Sequence, residues 1–431
     1  MRVNVGGARG IHRPDCPDRD LRVVLYRVPP EAELAVTFQR EASGGHHIVR
    51  GHTMPGTPFA GQYMITLTGK TAYSADEMRA ESLSYAEQVR RYEERRPDRA
   101  VLGFAGAGNI TMNPRFMAFD GEAMAYTDPD ASGTFGKPCP ALLVWRNGGV
   151  EFRPDVSFKQ GEEKPIVEVG GTDRTIEIAT AIQGPRLVAD GMPIDEAGLI
   201  DLTVNGWFYD LRHVLQFPFL AWPPERPRNE RVEIDCGLET FWDDGQLNET
   251  QVRDALSGEE IEINLDTYLD TAHGYVRDVG GGQPVGIDPV EETLRAQGYS
   301  DRLPRGEQGW FAIDRAENTL RIRLRKGIYN HSILGLTEDG ELRWLGIAGL
   351  GGRVGVTMEQ AARLAAANGL HHALLVDNGG DVMLNLRGEW VIRSGYGRSR
   401  IRGLLLFTVP ITPVAFDEEW LPLEPLASQA S

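Results

Sequence analysis

Short apolar runs separated by Gly, Pro and Asn fill much of the first half of the chain, a pattern typical of strands joined by turns. Residues 22–70 and 100–190 have this character. Within the second stretch, the apolar runs 140–145 and 150–152 flank an Asn-Gly-Gly turn at 147–149, which predicts a hairpin. We expect both stretches to form mainly sheet.

A helical spacing of apolar positions begins after residue 74. Ser74 with Glu77 three residues later has the form of a capping box, and Pro97 ends the pattern. The side chains expected on one face are Met78, Ser82, Tyr85, Val89 and Tyr92. The spacing predicts an amphipathic helix over 75–95.

The last third of the chain combines hairpins with a second helix. Residues 332–337 and 341–347 predict a hairpin. After it, Thr357 has the position of an N-cap, Gln360 completes a capping box, and Gly369 follows the last helical residue. These signals predict a helix that begins after Thr357 and ends before Gly369.

Beyond this helix, the apolar strand 372–376 runs directly into a polar, glycine-containing segment at 377–381. A hairpin of 382–386 and 390–393 follows, and 404–407 predicts a final strand. The strands and helices together indicate an α+β fold, with mixed or antiparallel sheets and hairpins packed by a few amphipathic helices.

The length of 431 residues exceeds one ordinary core, and the composition, 41% hydrophobic and 25% charged, is that of a folded globular protein. Gly- and Pro-rich breaks divide the chain. The expected parts are an N-terminal arm (1–20), a first part of the core (21–194), an insertion or small subdomain (195–310), a second part of the core (311–410) and an acidic C-terminal tail (411–431).

Charge and cysteine content exclude several classes of protein. A net charge of −17 argues against nucleic acid as a partner. The sequence shows no signal peptide and no membrane span, and Cys16, Cys139 and Cys236 form no disulfide framework. We therefore expect a soluble, cytoplasmic protein with no membrane partner, whose oligomeric state the sequence leaves open.

Candidate chemistry starts at the segment after strand 372–376. Asp377 and Asp381 place two carboxylates close together, and Gly379 and Gly380 between them allow a ligand to approach the backbone. The alternative is a tight turn in which the glycines only supply positive φ angles.

A run of arginines follows in this otherwise acidic chain. Its members after Arg387 are Arg393, Arg398, Arg400 and Arg402. Arginine binds phosphate through two parallel hydrogen bonds, although such a run also suits a solvated strand edge. Carboxylates and arginines in one cleft would suit cleavage of a bond beside a phosphate.

The histidines give a weaker signal. Those considered as metal ligands are His46, His47, His52, His331, His371 and His372, and none has the helical HExxH spacing. A metal-dependent hydrolase with Asp377, Asp381 and His331 as ligands stays open, because hard cations prefer oxygen donors. The nucleophile-elbow, phosphate-loop and cysteine-nucleophile motifs are absent. We expect no cofactor other than a possible divalent cation.

The C-terminal motifs resemble the phosphodiester glycosidase family. The stretch 352–362 matches its GR-x-x-G-x-T and helix, and 373–380 matches its strand entering a DGGGS turn. Residues 183–191 are similar to its GP-x-LV-x-DG turn, and Arg398 before 404–406 to its late arginine.

The resemblance implies an α+β glycosidase core with a large insertion, acting on a small-molecule or glycan sugar-1-phosphodiester, such as an N-acetylglucosamine 1-phosphodiester. It implies that Asp377 and its glycine turn lie at the active cleft with Arg353 and Arg398. The catalytic residues that we expect are Asp377, Asp381 and His331. The residues expected to bind substrate are Arg353, Thr357, Asn378, Gly379, Gly380, Arg398, Asn109 and Arg186.

Three departures from the family pattern favour a second hypothesis. Asn378 stands where the family has glycine, Asp381 where it has serine, and Asn330 or His331 where it has arginine. The alternative is therefore a catalytically inactive relative that binds a phosphosugar or glycan.

Overall fold

The computed structural model describes residues 2–5, 21–38, 48–49, 65–66, 84–107, 118–125, 136–161, 164–204, 214–216, 220–221, 231–235, 242–243, 246–264, 266, 273–278, 281–285, 310–314, 316–349, 355–393 and 403–411. Within these ranges the helices are α1 (Tyr85–Arg95), α2 (Glu196–Val204), α3 (Glu249–Ser257) and α4 (Met358–Ala367), with a 3₁₀ turn at Gly379–Asp381.

The strands of the first half, in chain order, are β1 (Arg2–Val5), β2 (Leu21–Arg27), β3 (Glu33–Phe38), β4 (Ile48–Val49), β5 (Ile65–Thr66), β6 (Arg99–Gly106), β7 (Ala118–Phe119), β8 (Met124–Ala125), β9 (Cys139–Trp145), β10 (Val150–Gln160), β11 (Pro165–Val169), β12 (Thr172–Asp173), β13 (Ile178–Gln183), β14 (Arg186–Ala189) and β15 (Met192–Pro193).

Those of the second half are β16 (Leu215–Gln216), β17 (Leu220–Ala221), β18 (Arg231–Asp235), β19 (Trp242–Asp243), β20 (Gln246–Leu247), β21 (Glu260–Asn264), β22 (His273–Asp278), β23 (Gly281–Val285), β24 (Trp310–Asp314), β25 (Thr319–Arg323), β26 (Arg325–Lys326), β27 (His331–Leu336), β28 (Leu342–Gly349), β29 (His372–Asn378), β30 (Leu384–Leu386), β31 (Glu389–Ile392) and β32 (Gly403–Pro410).

Seven strands form the central sheet, in the order β1-β2-β28-β27-β29-β14-β15. Every residue of β27 is buried, and so are the five inner residues of β29, as expected for strands covered on both faces. Each pairs with an antiparallel neighbour, β27 with β28 and β29, and β29 with β14. The central sheet therefore lies in the interior of the protein.

Two further sheets complete the core. The second sheet has the order β12-β11-β10-β9-β13-β7-β8, and the third sheet has the order β3-β32-β6-β30-β31. One hydrophobic cluster contains side chains of all three sheets, among them Trp344 of the central sheet, Leu142 of the second and Phe407 of the third. The described strand pairs are antiparallel, and with four helices they give the predicted α+β class.

Helix α4 covers the face of the central sheet near β14 and β15. The helix begins after Thr357 and ends before Gly369, as the sequence predicts. The Thr357 side chain accepts a hydrogen bond from the Gln360 N–H at 3.3 Å, and the Gln360 side chain accepts one from the Thr357 N–H at 3.0 Å. At the other end, Gly369 has a φ of +80°, which other residues rarely adopt.

Helix α1 covers the third sheet, but the predicted start of this helix is wrong. Ser84 has extended backbone angles and its Oγ accepts from the Glu87 N–H at 3.2 Å, so the helix begins at Tyr85 and not at residue 75. Ser74 and Glu77 lie outside the described residues. The end before Pro97 agrees with the prediction, and Tyr85 and Tyr92 are buried as expected.

Residues 195–310 contain α2, α3 and several short strands, and α2 contacts α3. An ion-pair network connects this part to the core. The ammonium of Lys326 pairs with Glu196 of α2 at 2.8 Å and with the largely buried Glu359 of α4. The proposed division of the chain into core and insertion stays a prediction.

The predicted hairpins at 140–152, 332–347 and 382–393 are confirmed by β9–β10, β27–β28 and β30–β31. Among the described residues, no helix is long and apolar enough to span a lipid bilayer.

Tyr26 of β2 is fully buried in the three-sheet cluster, with its ring edge-on to Phe407 at 4.9 Å. In the described part of the chain, no hydrogen-bond partner reaches its hydroxyl. Burial raises the pKa of Tyr26 from 10.0 to about 12. A buried hydroxyl without a partner destabilises the folded state.

We expect Tyr26→Phe to raise the free energy of unfolding at pH 7 by about 1–3 kcal/mol, because the ring contacts stay and the isolated hydroxyl is removed. Ionisation of tyrosine favours the unfolded chain here, since folding raises the pKa. The advantage of the variant should therefore grow between pH 10 and 12.

Urea denaturation at pH 7 and between pH 10 and 12 measures the difference in free energy of unfolding between Tyr26→Phe and the parent protein. Tyr92→Phe is the control, because the Tyr92 hydroxyl is reached by water or a partner. A loss of stability in Tyr26→Phe would show that the hydroxyl is bonded.

Candidate functional site

Asp377 lies on a β-bulge near the end of β29. Leu375 pairs with Ile333 of β27, but the next pair is Asp377 with Ser332, so Val376 is the extra residue. The bulge shifts the alternation of side chains by one residue. Asp377 therefore lies on the same face of the sheet as Ser332 and Leu334, toward the hydrophobic cluster shared by the three sheets. Asp377 is only 1% exposed.

The buried carboxylate accepts a hydrogen bond from the backbone that follows it. Asp377 Oδ1 accepts a hydrogen bond from the Asn378 N–H at 2.8 Å. The facing Ser332 Oγ accepts one from the Trp344 indole N–H at 2.7 Å, and both Ser332 and Trp344 are fully buried. Burial of a carboxylate costs free energy. A carboxylate at this buried position therefore indicates a functional role.

Asn330 joins the ends of three strands beside Asp377. Its carbonyl accepts from the Gly379 N–H at 2.9 Å, and its side-chain Oδ1 accepts from the Gly349 N–H at 2.9 Å. Gly349 ends β28, Asn330 precedes β27, and Gly379 follows β29. One asparagine therefore sets the spacing of the strand ends around the site.

His331 is fully buried and lies opposite Asn378. Its Nε2 is 2.8 Å from the carbonyl of Val356. A carbonyl only accepts, so the imidazole carries a proton on Nε2. Since Val356 precedes the N-cap Thr357, this bond holds the N-terminus of α4 against β27, and we interpret His331 as a positioning residue.

The 3₁₀ turn Gly379–Asp381 forms the open side of the site. Gly379 has a φ of +68°, and a Cβ placed there would meet no atom within 4 Å, so this backbone is open to a ligand. Asp381 is partly exposed, unlike Asp377. Its carbonyl packs against Gly106 at the end of β6, where a Cβ would clash at 2.1 Å.

The β30–β31 hairpin separates two of the predicted arginines. Arg387 has a φ of +53° in the turn, at the end away from Asp381. Ile392 pairs with Leu384, so the hairpin brings Arg393 back to the end near Asp381. Arg393 is exposed and lies over the Trp390 ring at 6.0 Å.

The remaining predicted site residues lie away from Asp377 or outside the described residues. Those outside the described residues are Arg353, Arg398 and Asn109. Arg186 pairs with Leu374, earlier on β29 than Asp377. Its charge contributes to lowering the pKa of His372, an effect caused first by burial and then by His371, and opposed by Asp190.

The structure thus places Asp377, Asn378, Asp381 and His331 at one end of β27 and β29, and the bond from His331 to Val356 brings Thr357 beside them. The hypothesis that Asp377, Asp381 and His331 hold a cation stays a prediction. Sequence reasoning gave Asn330 only as a replacement for an arginine and missed Ser332. A polar pair at the start of the otherwise apolar strand 331–336 was the available signal.

No protein-family model matches this chain, and no curated protein matches it. Among solved structures, it is similar to the zebrafish N-acetylglucosamine-1-phosphodiester alpha-N-acetylglucosaminidase catalytic domain auto-inhibited by pro-peptide. The identity is 9% and the TM-score 0.36, over 94% of this chain and 82% of that one.

A hypothetical protein from Synechocystis is 10% identical, with a TM-score of 0.33, over 95% of this chain and 64% of that one. A protein of Burkholderia pseudomallei described as exported is 11% identical, with a TM-score of 0.30, over 90% of this chain and 74% of that one. Similarities this distant carry no argument about chemistry.

The role of Asn330 can be tested by stability. Asn330→Ala leaves the Gly349 N–H without its acceptor, and we expect the free energy of unfolding to fall by about 1–3 kcal/mol. Asn330→Asp keeps an acceptor oxygen and should lose less. Chemical denaturation compares the two variants, and an equal loss in both would contradict the proposed hydrogen bond.

Proposed function

We propose that this chain is a hydrolase that cleaves the glycosidic bond of a sugar-1-phosphodiester at the Asp377 end of β29. The observation that carries the proposal is a carboxylate, 1% exposed, placed on a β-bulge beside a glycine turn that is open to a ligand. The choice of substrate class rests on the sequence motifs that resemble the phosphodiester glycosidase family.

The different burial of the two carboxylates supports different roles. A buried charge acts through a low dielectric, so Asp377 is suited to stabilise the positive charge that develops at the sugar C1. Asp381 is partly exposed and can be reached by water. We assign to Asp381 the removal of the proton from the attacking water.

The reaction then balances without a further reactant. The water oxygen forms a bond to C1, the bond between C1 and the phosphate oxygen breaks, and the leaving group keeps the electron pair. The proton taken by Asp381 passes to solvent. The products are a free sugar and a phosphomonoester.

Arginine supplies the positive charge for the phosphate. Arg393 lies at the end of the hairpin near Asp381, and its guanidinium can form the paired hydrogen bonds that phosphate accepts. Arg353 and Arg398 are further phosphate ligands in this proposal, on the basis of the family resemblance alone.

Two departures in the turn favour a second candidate function. Asn378 stands where the family motif has glycine, and Asp381 stands where it has serine. A site changed in this way would bind a phosphosugar without cleaving it. The same substrates distinguish the two functions, because binding and release of sugar are measured separately.

The first experiment follows free sugar by mass spectrometry during incubation with a panel of sugar-1-phosphodiesters and nucleotide sugars. Asp377→Asn and Asp381→Asn should each lower the rate by about 10²–10⁴-fold. Asparagine still offers an oxygen to the Asn378 N–H, so folding of Asp377→Asn should be retained. Asp339→Asn, on an exposed turn of the β27–β28 hairpin, is the control.

Release of sugar at an unchanged rate by Asp377→Asn would remove this residue from the mechanism. No release from any substrate, together with calorimetric binding of a phosphosugar, would instead establish the binding function.

Two arginines of one hairpin provide a matched test of phosphate binding. We expect Arg393→Gln to raise KM for the phosphodiester about tenfold through loss of a charged hydrogen bond. Arg387→Gln, at the opposite end, should leave KM unchanged. Steady-state kinetics measure both, and equal effects would place the phosphate elsewhere.

A further inference from the structure

At the other end of β29, two histidines and an aspartate from distant parts of the sequence come together. Asp190 follows β14, and His371 and His372 lie at the start of β29. Because β14 and β29 are antiparallel neighbours, the end of one lies beside the start of the other. The pairing of the strands thus brings three possible metal ligands to one end of β14 and β29.

The backbone around Asp190 is tightly defined. Asp190 has a φ of +50° and Gly191 a φ of +76°, so Asp-Gly forms the two-residue type I′ turn between β14 and β15. The Gly191 N–H donates to the His371 carbonyl at 2.8 Å. This bond ties the aspartate turn to the histidine strand.

The three ligand atoms lie at distances suited to one ion. They are all within 4.8 Å of one another, and Asp190 Oδ1 is 3.8 Å from Nε2 of His371 and from Nε2 of His372. Tetrahedral zinc with bonds of about 2.0–2.1 Å holds its ligands about 3.3 Å apart. Small rotations of the Asp190 and His371 side chains close the difference.

The His372 ring is held in place by its neighbours. It stacks on Phe152 of β10 at 4.6 Å with an interplanar angle of 12°, and it meets His371 edge-on at 4.7 Å. An apolar ring against a ligating imidazole restricts its orientation and access of solvent. The histidines are partly buried, whereas Asp190 is exposed, so an ion can enter from the Asp190 side.

We propose that Asp190, His371 and His372 bind a divalent transition metal, zinc foremost, at a site separate from the carboxylate turn. Two imidazoles and a carboxylate suit zinc, cobalt and nickel better than calcium or magnesium. Three protein ligands leave a position for water. His372 lies five positions before Asp377 on β29, which corresponds to about 16 Å.

Metal binding has a specific consequence for the His372 proton. The Asp190 N–H donates to His372 Nδ1 at 3.4 Å, which places the imidazole proton on Nε2. A metal on Nε2 moves this proton to Nδ1, and the long contact with Asp190 is given up. The change of tautomer is therefore a signature of this site.

The test uses the full chain after treatment with a chelator, titrated with Zn²⁺ in competition with a chromogenic chelator. We expect one zinc per chain that is bound at least about tenfold more weakly by His371→Gln, His372→Gln and Asp190→Asn. Asp314→Asn removes the same charge from the end of β24, in a different sheet, and should bind like the parent.

Nitrogen-15 NMR of the histidine side chains supplies the second readout, in which zinc should shift His372 from the Nε2–H to the Nδ1–H form. Because His371 and Asp190 are accessible, their variants test the site even if His372→Gln fails to fold. Unchanged zinc affinity in all three variants, or an unchanged His372 tautomer at saturation, would overturn the proposal.

Discussion

The pairing of β27 with β29 is the constraint on which the rest of the structure depends. Gly335 makes it possible, since a Cβ at this position would lie 2.3 Å from the carbonyl of His372. The close approach fixes the register up to Leu375, and the bulge at Val376 then turns Asp377 toward the core. Burial of the carboxylate and the position of the 3₁₀ turn both follow from this one strand pair.

Local signals were enough for the elements whose ends are determined locally. The capping box of Thr357 and the glycine after α4 define that helix without help from the rest of the fold. Helix α1 shows the limit, because Ser74 with Glu77 and Ser84 with Glu87 offer the same Ser-x-x-Glu signal twice. The sequence pattern did not mark Ser84 as the start of the helix that ends at Arg95.

The site was predictable only in part for a related reason. The position of Asp377 after a buried strand could be read from the sequence, but the bulge that aims its side chain results from pairing with β27. The two hydrogen bonds of Asn330 connect residues from three strands, and Asp190 reaches the histidines through strand pairing alone. Contacts between distant segments leave no periodic signal in a single sequence.

The order of the strands also has a consequence for biosynthesis. β2 pairs with β28 from Leu21 to Arg27, and β3 pairs with β32, so strands near the beginning of the chain need partners from its last quarter. Loop closure over such separations is slow. The early strands β2 and β3, rich in Val and Leu, cannot pair with β28 and β32 until those strands have been synthesised. During this interval their unpaired edges are natural targets for chaperones.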